Sequence, residues 1–389
     1  MSGDAIIFIP GIKGTKLVET NKSPFDTIWS GLQSNFETIE HLELTHGHAG
    51  IYYDERIRSI IQPGEIEQLA YAEFLRDLET DKPRFIFNYD WRYSAQENGR
   101  LLGEFVDLLI AKSKESRGVQ EFKSFDFITH SLGNFVFHNY LKRFGFGKVG
   151  QAVLTVPPFL GSLDIITVAL IGEGFFPGVK GKIRKLIRTM PGALELLPTY
   201  EGASRFVPDA AHNFLTFSHW QGNVTESGNV YSDKLKEVLK GVKVVIKSEL
   251  LNLKTLSKDE RDRILIVTRH GYKTYQTVQV HKSGGGTTNY VDLEHAATNK
   301  HGDGRVPHGS SCIYHDSVRT VMLDDSPWHR DYSHGFVLKD ERLQKVVNRF
   351  LFQSGSLSLK IPGQSIRQVT GLTLQNDPET GLKYWHAEF

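Results

Sequence analysis

The sequence predicts an α/β protein, with a mostly parallel sheet, helices on both faces and an inserted cap. Three observations lead there. Apolar runs of strand length recur between turn residues, helical periodicity fills several of the intervals, and the alternation lapses between Pro158 and Asp262. Strands alternating with helices form parallel sheets covered on both faces.

The expected strands are Ala5–Ile9, Arg84–Asn88, Phe125–His130, Gln151–Val156, Arg263–Thr268 and Ser317–Leu323. Leu101, Leu102, Phe105, Leu108 and Leu109 share one helical face, as do Phe135, Val136, Tyr140, Leu141 and Phe144. Leu343, Val346, Val347, Phe350 and Leu351 repeat that spacing after the last strand. The expected organisation is a core of residues 1–157 and 263–353, a cap or lid at 158–262, and a hairpin-like extension at 354–389 with turns at Asn376-Asp377-Pro378 and Thr380-Gly381. A cap so inserted would cover the carboxyl edge of the sheet, where ligands bind in open α/β folds. The irregular stretch from Glu19 to Gly50 would add to the cover.

Composition narrows the function. Lys and Arg number 46 against 45 Asp and Glu, a balance that gives no long-range attraction to phosphate polymers and argues against a dedicated nucleic-acid binder. The single cysteine, Cys312, excludes an intrachain disulfide and a thiolate metal cluster. The N-terminus lacks the basic start and long apolar core of a secretory signal, and Pro157, Pro158 and Asp164 interrupt the most membrane-like stretch. The expectation is a cytoplasmic protein, with leaderless export left open.

The chemistry concentrates at Phe125-Asp126-Phe127-Ile128-Thr129-His130-Ser131-Leu132-Gly133-Asn134, where a strand ends on a serine and a helix begins. That is the setting of a nucleophile elbow, with Thr129 in place of the first glycine. A serine needs a base to take its proton, and the base needs an orienting carboxylate, in the chain order Ser, Asp or Glu, His. Asp303, in His301-Gly302-Asp303-Gly304-Arg305-Val306-Pro307, and His334, in the last loop before the terminal helix, follow that order. Gly-Asp-Gly is also ordinary turn chemistry, and His308, His315 and His329 compete with His334. His130 and His138 stand too close to Ser131. The exit of the first strand, Pro10-Gly11-Ile12-Lys13-Gly14, would offer one backbone oxyanion donor, and Leu132, after the nucleophile, the other.

These segments, with Asn88-Tyr89-Asp90-Trp91-Arg92, Val156-Pro157-Pro158-Phe159-Leu160-Gly161-Ser162 and His334-Gly335-Phe336-Val337-Leu338, resemble the lecithin:cholesterol acyltransferase-like branch of the α/β-hydrolases, which includes lysosomal phospholipases. The resemblance implies Ser131, Asp303 and His334 as a catalytic triad with Ile12 and Leu132 as oxyanion donors. It implies an architectural role for Tyr89–Arg92. Many animal relatives tie down a lid with disulfides, which one cysteine cannot supply.

The expected function is a serine-dependent lipid acyl-ester hydrolase or acyltransferase, of lipase or phospholipase type, needing no cofactor. The alternatives are a silent binding protein on the same fold and an esterase for a non-lipid ester. A metal-dependent hydrolase is disfavoured because His46 and His48 lack an accompanying carboxylate at metal-ligand spacing. The basic and aromatic stretch from Phe175 and Phe176 to Arg188 supports two readings, contact with an anionic lipid surface or a solvated helix face.

Overall fold

The computed structural model describes residues 3–20, 26–29, 38–44, 53–55, 58–116, 118, 120–173, 178–208, 210–248, 252–283, 288–323, 332–352, 373–376 and 383–386. Strand β1 (Ala5–Ile9) leads into a small antiparallel sheet of β2 (Thr15–Glu19), β3 (Asp26–Trp29), β4 (Tyr53–Asp54) and β5 (Ser59–Ile66), then α1 (Gln68–Arg76). Next come β6 (Arg84–Ile86), α2 (Ala95–Glu115), β7 (Phe125–His130), α3 (Gly133–Phe144) and β8 (Val149–Thr155). Helices α4 (Asp164–Ile171), α5 (Lys180–Leu186) and α6 (Pro191–Leu194) follow, then β9 (Ser204–Val207), β10 (Ala210–Ala211), α7 (Val230–Ser248) and α8 (Lys258–Asp262). The chain then runs through β11 (Ile264–Arg269), β12 (Thr274–Ser283), β13 (Thr288–Asn299), α9 (His308–Ser311), β14 (Arg319–Leu323), α10 (Glu341–Phe352), β15 (Thr373–Asn376) and β16 (Lys383–His386).

The central sheet has eight strands in the order β15-β16-β14-β11-β8-β7-β1-β6. All neighbours are parallel except β15 and β16, which pair antiparallel. Each of the six strands read from apolar runs lies in this sheet. The reason is visible in β1, where Ala5, Ile6, Ile7, Phe8 and Ile9 are all buried, as a strand covered on both faces requires. Side chains alternate across the sheet and so divide between two cores. Ile7, Ile9, Phe127 and Leu154 join α2 and α3 residues such as Leu102, Val106 and Val136. Ile6, Phe8, Ile128 and Val153 join Tyr71 and Phe74 of α1 with Leu343, Val346 and Val347 of α10.

Two features depart from the sequence reading. The stretch after β1 is not wholly irregular, since β2 and β3 pair as part of a sheet. After β11 the chain leaves the central sheet, because β12 and β13 form a hairpin in a separate four-stranded sheet with β9 and β10. Strand β12 runs parallel to β9, with Val278 opposite Ser204 and Val280 opposite Phe206. Residues 274–299 therefore associate with the insertion rather than the core. The polar, partly exposed pattern of β13 hid this hairpin, because a half-solvated ribbon lacks a continuous apolar run.

Buried polar groups hold the strand exits. The Arg92 guanidinium pairs with Asp90 at 2.6 Å, and Trp91 Nε1 donates to the Thr15 carbonyl at 3.0 Å. Tyr89 Oη donates to the Pro10 carbonyl at 2.8 Å, beside the loop that carries Ile12. Asn98 of α2 donates to the Asp90 carbonyl at 3.0 Å. No helix among the described residues is long and apolar enough to cross a membrane.

Candidate active site

Ser131 stands between β7 and α3 with φ at 51°, a left-handed conformation that non-glycine residues rarely hold. Its amide donates to the Thr155 carbonyl at 3.1 Å, which anchors the turn to β8. Gly133 is required two residues later, because a Cβ there would lie 2.5 Å from the Ile9 carbonyl oxygen and 2.6 Å from that of Pro10. Thr129, where a glycine was expected, is accommodated by a specific pair. Its hydroxyl donates to Asn134 Oδ1 at 2.6 Å, while Asn134 Nδ2 donates to the carbonyls of Ser131 at 2.7 Å and Thr155 at 3.1 Å.

Ser131, Asp303 and His334 meet at the carboxyl edge of the sheet. His334 Nε2 lies 2.8 Å from Ser131 Oγ, and His334 Nδ1 lies 2.7 Å from Asp303 Oδ2. With a carboxylate at Nδ1, that nitrogen carries the proton and Nε2 offers its lone pair to the serine hydroxyl. Asp303 Oδ1 accepts from the amides of Arg305 at 2.9 Å and Val306 at 2.7 Å, so the Gly-Asp-Gly turn aims the carboxylate. The His334 amide donates to the Asp303 carbonyl at 2.8 Å and fixes the two loops together. All three side chains are buried. His308 and His315 lie elsewhere, next to Cys312.

Ile12 lines the cavity over Ser131, and Leu132 sits at the start of α3. Neither amide donates to a backbone carbonyl among the described residues. The cavity measures about 410 Å3 and is largely apolar, with Ile165, Val168, Ile187, Leu196 and Val306 in its walls. Pro158, Ser162, Asp164, Ile165 and Val168, with Ile187 and Leu196, therefore form part of the wall around the serine. The Ser162 hydroxyl donates to the Arg305 carbonyl, and Ser310 Oγ donates to the Gly161 carbonyl at 2.8 Å, so polar contacts rather than a disulfide fasten this part of the wall to the stretch after Asp303.

A second layer escaped the sequence reading. Tyr71 of α1 accepts from the Gly11 amide at 3.2 Å and donates to His130 Nδ1 at 2.9 Å. His130 Nε2 then donates to the His334 carbonyl at 2.9 Å. Burial and the neighbouring His334 push the His130 pKa down to about 3, so the ring is neutral and this direction of donation is fixed. The chain of bonds joins the Ile12 loop to the His334 loop. Nothing in the spacing of Tyr71 and Ser131 announces it.

The basic stretch before Arg188 is not one solvated face. Arg188 is buried with Nε donating to the Ala169 carbonyl at 3.0 Å, and Lys182 pairs with Glu40 at 3.0 Å. His46, His48, Phe175, Phe176, His329 and the turn residues between β15 and β16 lie outside the described residues. Among the described residues, no cluster of three or more His, Cys, Asp or Glu side chains has metal-site geometry.

Comparison with solved structures places the fold. A chain from the crystal structure of the Tle4–Tli4 complex superposes with a TM-score of 0.62 at 14 % identity, over 89 % of this chain and 97 % of that one. The mature Bacillus licheniformis lipase BlEst2 aligns at 10 % identity with a TM-score of 0.38, over 90 % of this chain and 92 % of that one. Phospholipase PlaB from Legionella pneumophila aligns at 12 % identity with a TM-score of 0.32, over 90 % of this chain and 60 % of that one. No curated protein matches the sequence significantly. The family comparison matches residues 77–265 to lecithin:cholesterol acyltransferase, a range that includes Ser131 but neither Asp303 nor His334. The chain has an α/β-hydrolase fold, and its residues 77–265 match the lecithin:cholesterol acyltransferase family.

Proposed function

We propose that this protein is a serine-dependent lipid acyl-ester hydrolase or acyltransferase working through Ser131, His334 and Asp303. The observation that carries the proposal is the hydrogen-bonded line from Ser131 Oγ through His334 to Asp303, set at the floor of an apolar cavity. Ser131 Oγ attacks the ester carbonyl carbon while His334 Nε2 takes the hydroxyl proton. Asp303 stabilises the imidazolium that forms. The negative charge on the former carbonyl oxygen is met by the amides of Ile12 and Leu132. The C–O bond to the leaving alcohol then breaks, and His334 returns the proton to that oxygen. The acyl group left on Ser131 passes to water or to a second alcohol by the same steps in reverse.

The apolar lining favours an acyl chain over a small polar ester. A silent binding protein on the same fold would need none of this alignment. Ser131→Ala is expected to abolish hydrolysis of p-nitrophenyl butyrate and labelling by a fluorophosphonate probe. Labelling that persists in that variant refutes the assignment. Adding a long-chain alcohol acceptor to a turnover assay separates transfer from hydrolysis.

A further inference from the structure

The segment that carries His334 is held at both ends by way of one buried side chain, Arg269, the last residue of β11. Its Nη1 donates to Asp340 Oδ2 at 2.5 Å, and its Nη2 donates to Tyr272 Oη at 2.9 Å. Asp340 closes the short 3-10 helix His334–Lys339. Tyr272 Oη accepts in turn from the Tyr332 amide at 3.1 Å, two residues before His334. The Tyr272 amide donates to the Gly302 carbonyl at 3.0 Å, and Tyr272 forms a β-bridge with Asp303. Arg269 and Tyr272 thus tie the His334 and Asp303 segments to β11. That strand pairs with β8, which anchors the Ser131 turn through the Thr155 carbonyl.

Two plainer roles do not account for Arg269. Asp340 starts α10 by accepting the Arg342 amide at Oδ1, 2.9 Å away, and Arg342 Nη2 also reaches Asp340 Oδ2 at 2.7 Å. The helix start and the neutralisation of Asp340 therefore need no second arginine. Stability does not need it either, because a buried ion pair gains little over packed apolar side chains. Arg269 Nε has no hydrogen-bond partner among the described residues, which adds a cost. Burial raises the Asp340 pKa, but the bonds from Arg342 and Arg269 hold it down at about 2, so the pair is charged in the neutral range. What remains to Arg269 is geometry. A planar guanidinium fixes two partners at a set angle, which a lysine ammonium does not. Its central carbon also lies 5.0 Å from the centre of the Tyr272 ring, so the fork restrains the ring as well as the hydroxyl. The bonds at the His334 amide and carbonyl fix that residue's own main chain, and Arg269 fixes the chain on either side of it.

We propose that Arg269 is a positioning residue for the reaction, holding the His334 segment in register with Ser131 and Asp303 through Asp340 and Tyr272. The proposal rests on the ester-hydrolase reading above and adds to it a residue that touches neither the substrate nor the reacting atoms.

The test uses the full chain carrying histidine labelled with a heavy nitrogen isotope, the His334 ring signals being identified by their loss in His334→Gln. In the wild type, nitrogen NMR should report one tautomer, with the proton on Nδ1 facing Asp303. In Arg269→Met the signals are expected to move toward a mixture of both tautomers. The kcat on p-nitrophenyl butyrate should fall about a hundredfold, the order set by a misplacement of about 1 Å. KM should stay within about twofold, because Arg269 does not line the cavity. Arg269→Lys reaches one partner at a time and is expected to recover about tenfold of the lost rate. Arg269→Met leaves Asp340 paired with Arg342, and urea unfolding checks that the variant folds. If it does not, Tyr272→Phe takes its place, with the same movement of the signals and about a tenfold fall in kcat expected. A folded variant whose His334 signals match the wild type overturns the proposal whatever its rate, and leaves Arg269 a structural residue. Signals that mix in Arg269→Met support the proposal even if the wild type hydrolyses no ester, in which case the ester-hydrolase reading fails separately.

Discussion

Replacing Tyr71 by Phe removes one oxygen atom and disconnects two loops of the candidate active site. The ring stays, with its contact to Phe8 at 5.0 Å between centroids, so no sizeable cavity opens. The losses are the bond from the Gly11 amide at 3.2 Å and the bond to His130 Nδ1 at 2.9 Å. Both orphaned groups lie in buried surroundings. At about 1 kcal/mol each, near the lower end for a buried polar group left unsatisfied, stability should fall by about 2 kcal/mol. Gly11 directly precedes the donor candidate Ile12. Outright loss of one oxyanion donor costs a hundredfold or more in rate, so a loosened donor should cost about tenfold in kcat. Tyr71 lines the cavity, but its ring stays and only the hydroxyl is lost, so KM should stay within about twofold, the signature of an interaction that matters in the transition state. Steady-state kinetics on p-nitrophenyl butyrate, with urea unfolding on the same preparations, measures both quantities. A kcat within about twofold of wild type alongside the expected loss of stability refutes the coupling, leaving Tyr71 a purely structural residue.

Asp303→Asn should lower kcat by about four orders of magnitude, because an amide NH2 facing His334 Nδ1 favours the tautomer that cannot accept the serine proton; single-turnover ester kinetics measures it. His138→Leu should raise stability by about 1 kcal/mol, since both ring nitrogens of this buried residue lack partners against Phe159, and urea unfolding at pH 7 checks it. Burial depresses the folded-state pKa of His130 to about 3 and of His138 to about 4 from 6.5. The unfolded chain therefore binds more protons between pH 4 and 6.5, and the urea midpoint should fall as pH drops through that window, less steeply in His138→Leu. Lys13 is the basic counterpart, with a folded-state value of about 7 against 10.5, so stability should rise as pH climbs between those values and Lys13→Met should flatten that rise.

Much of the fold was legible because its determinants are local. The buried runs of β1, β7, β8 and β11 needed apolar residues on both faces, and that demand is written as unbroken hydrophobic stretches. The β12–β13 hairpin was not legible, since a ribbon with one partly wet face shows neither a run nor a clean alternation. Thr129 illustrates the same limit at the site. A glycine-based pattern treats it as a mismatch, yet its bond to Asn134 makes the residue fit.

By itself the sequence determined the sheet, the strained serine turn and a carboxylate and histidine in the right chain order. Those depend on periodicity, turn chemistry and sequence separation, all properties of neighbouring residues. Tertiary structure alone decided that His334 faces Ser131 while His308 and His315 lie beside Cys312. It also decided that Tyr71 bridges two loops and that Lys13 meets Arg305 and Asp164 in one cavity. Such meetings join segments far apart in the chain, and their geometry follows from how the two cores pack on either face of the sheet rather than from any local spacing.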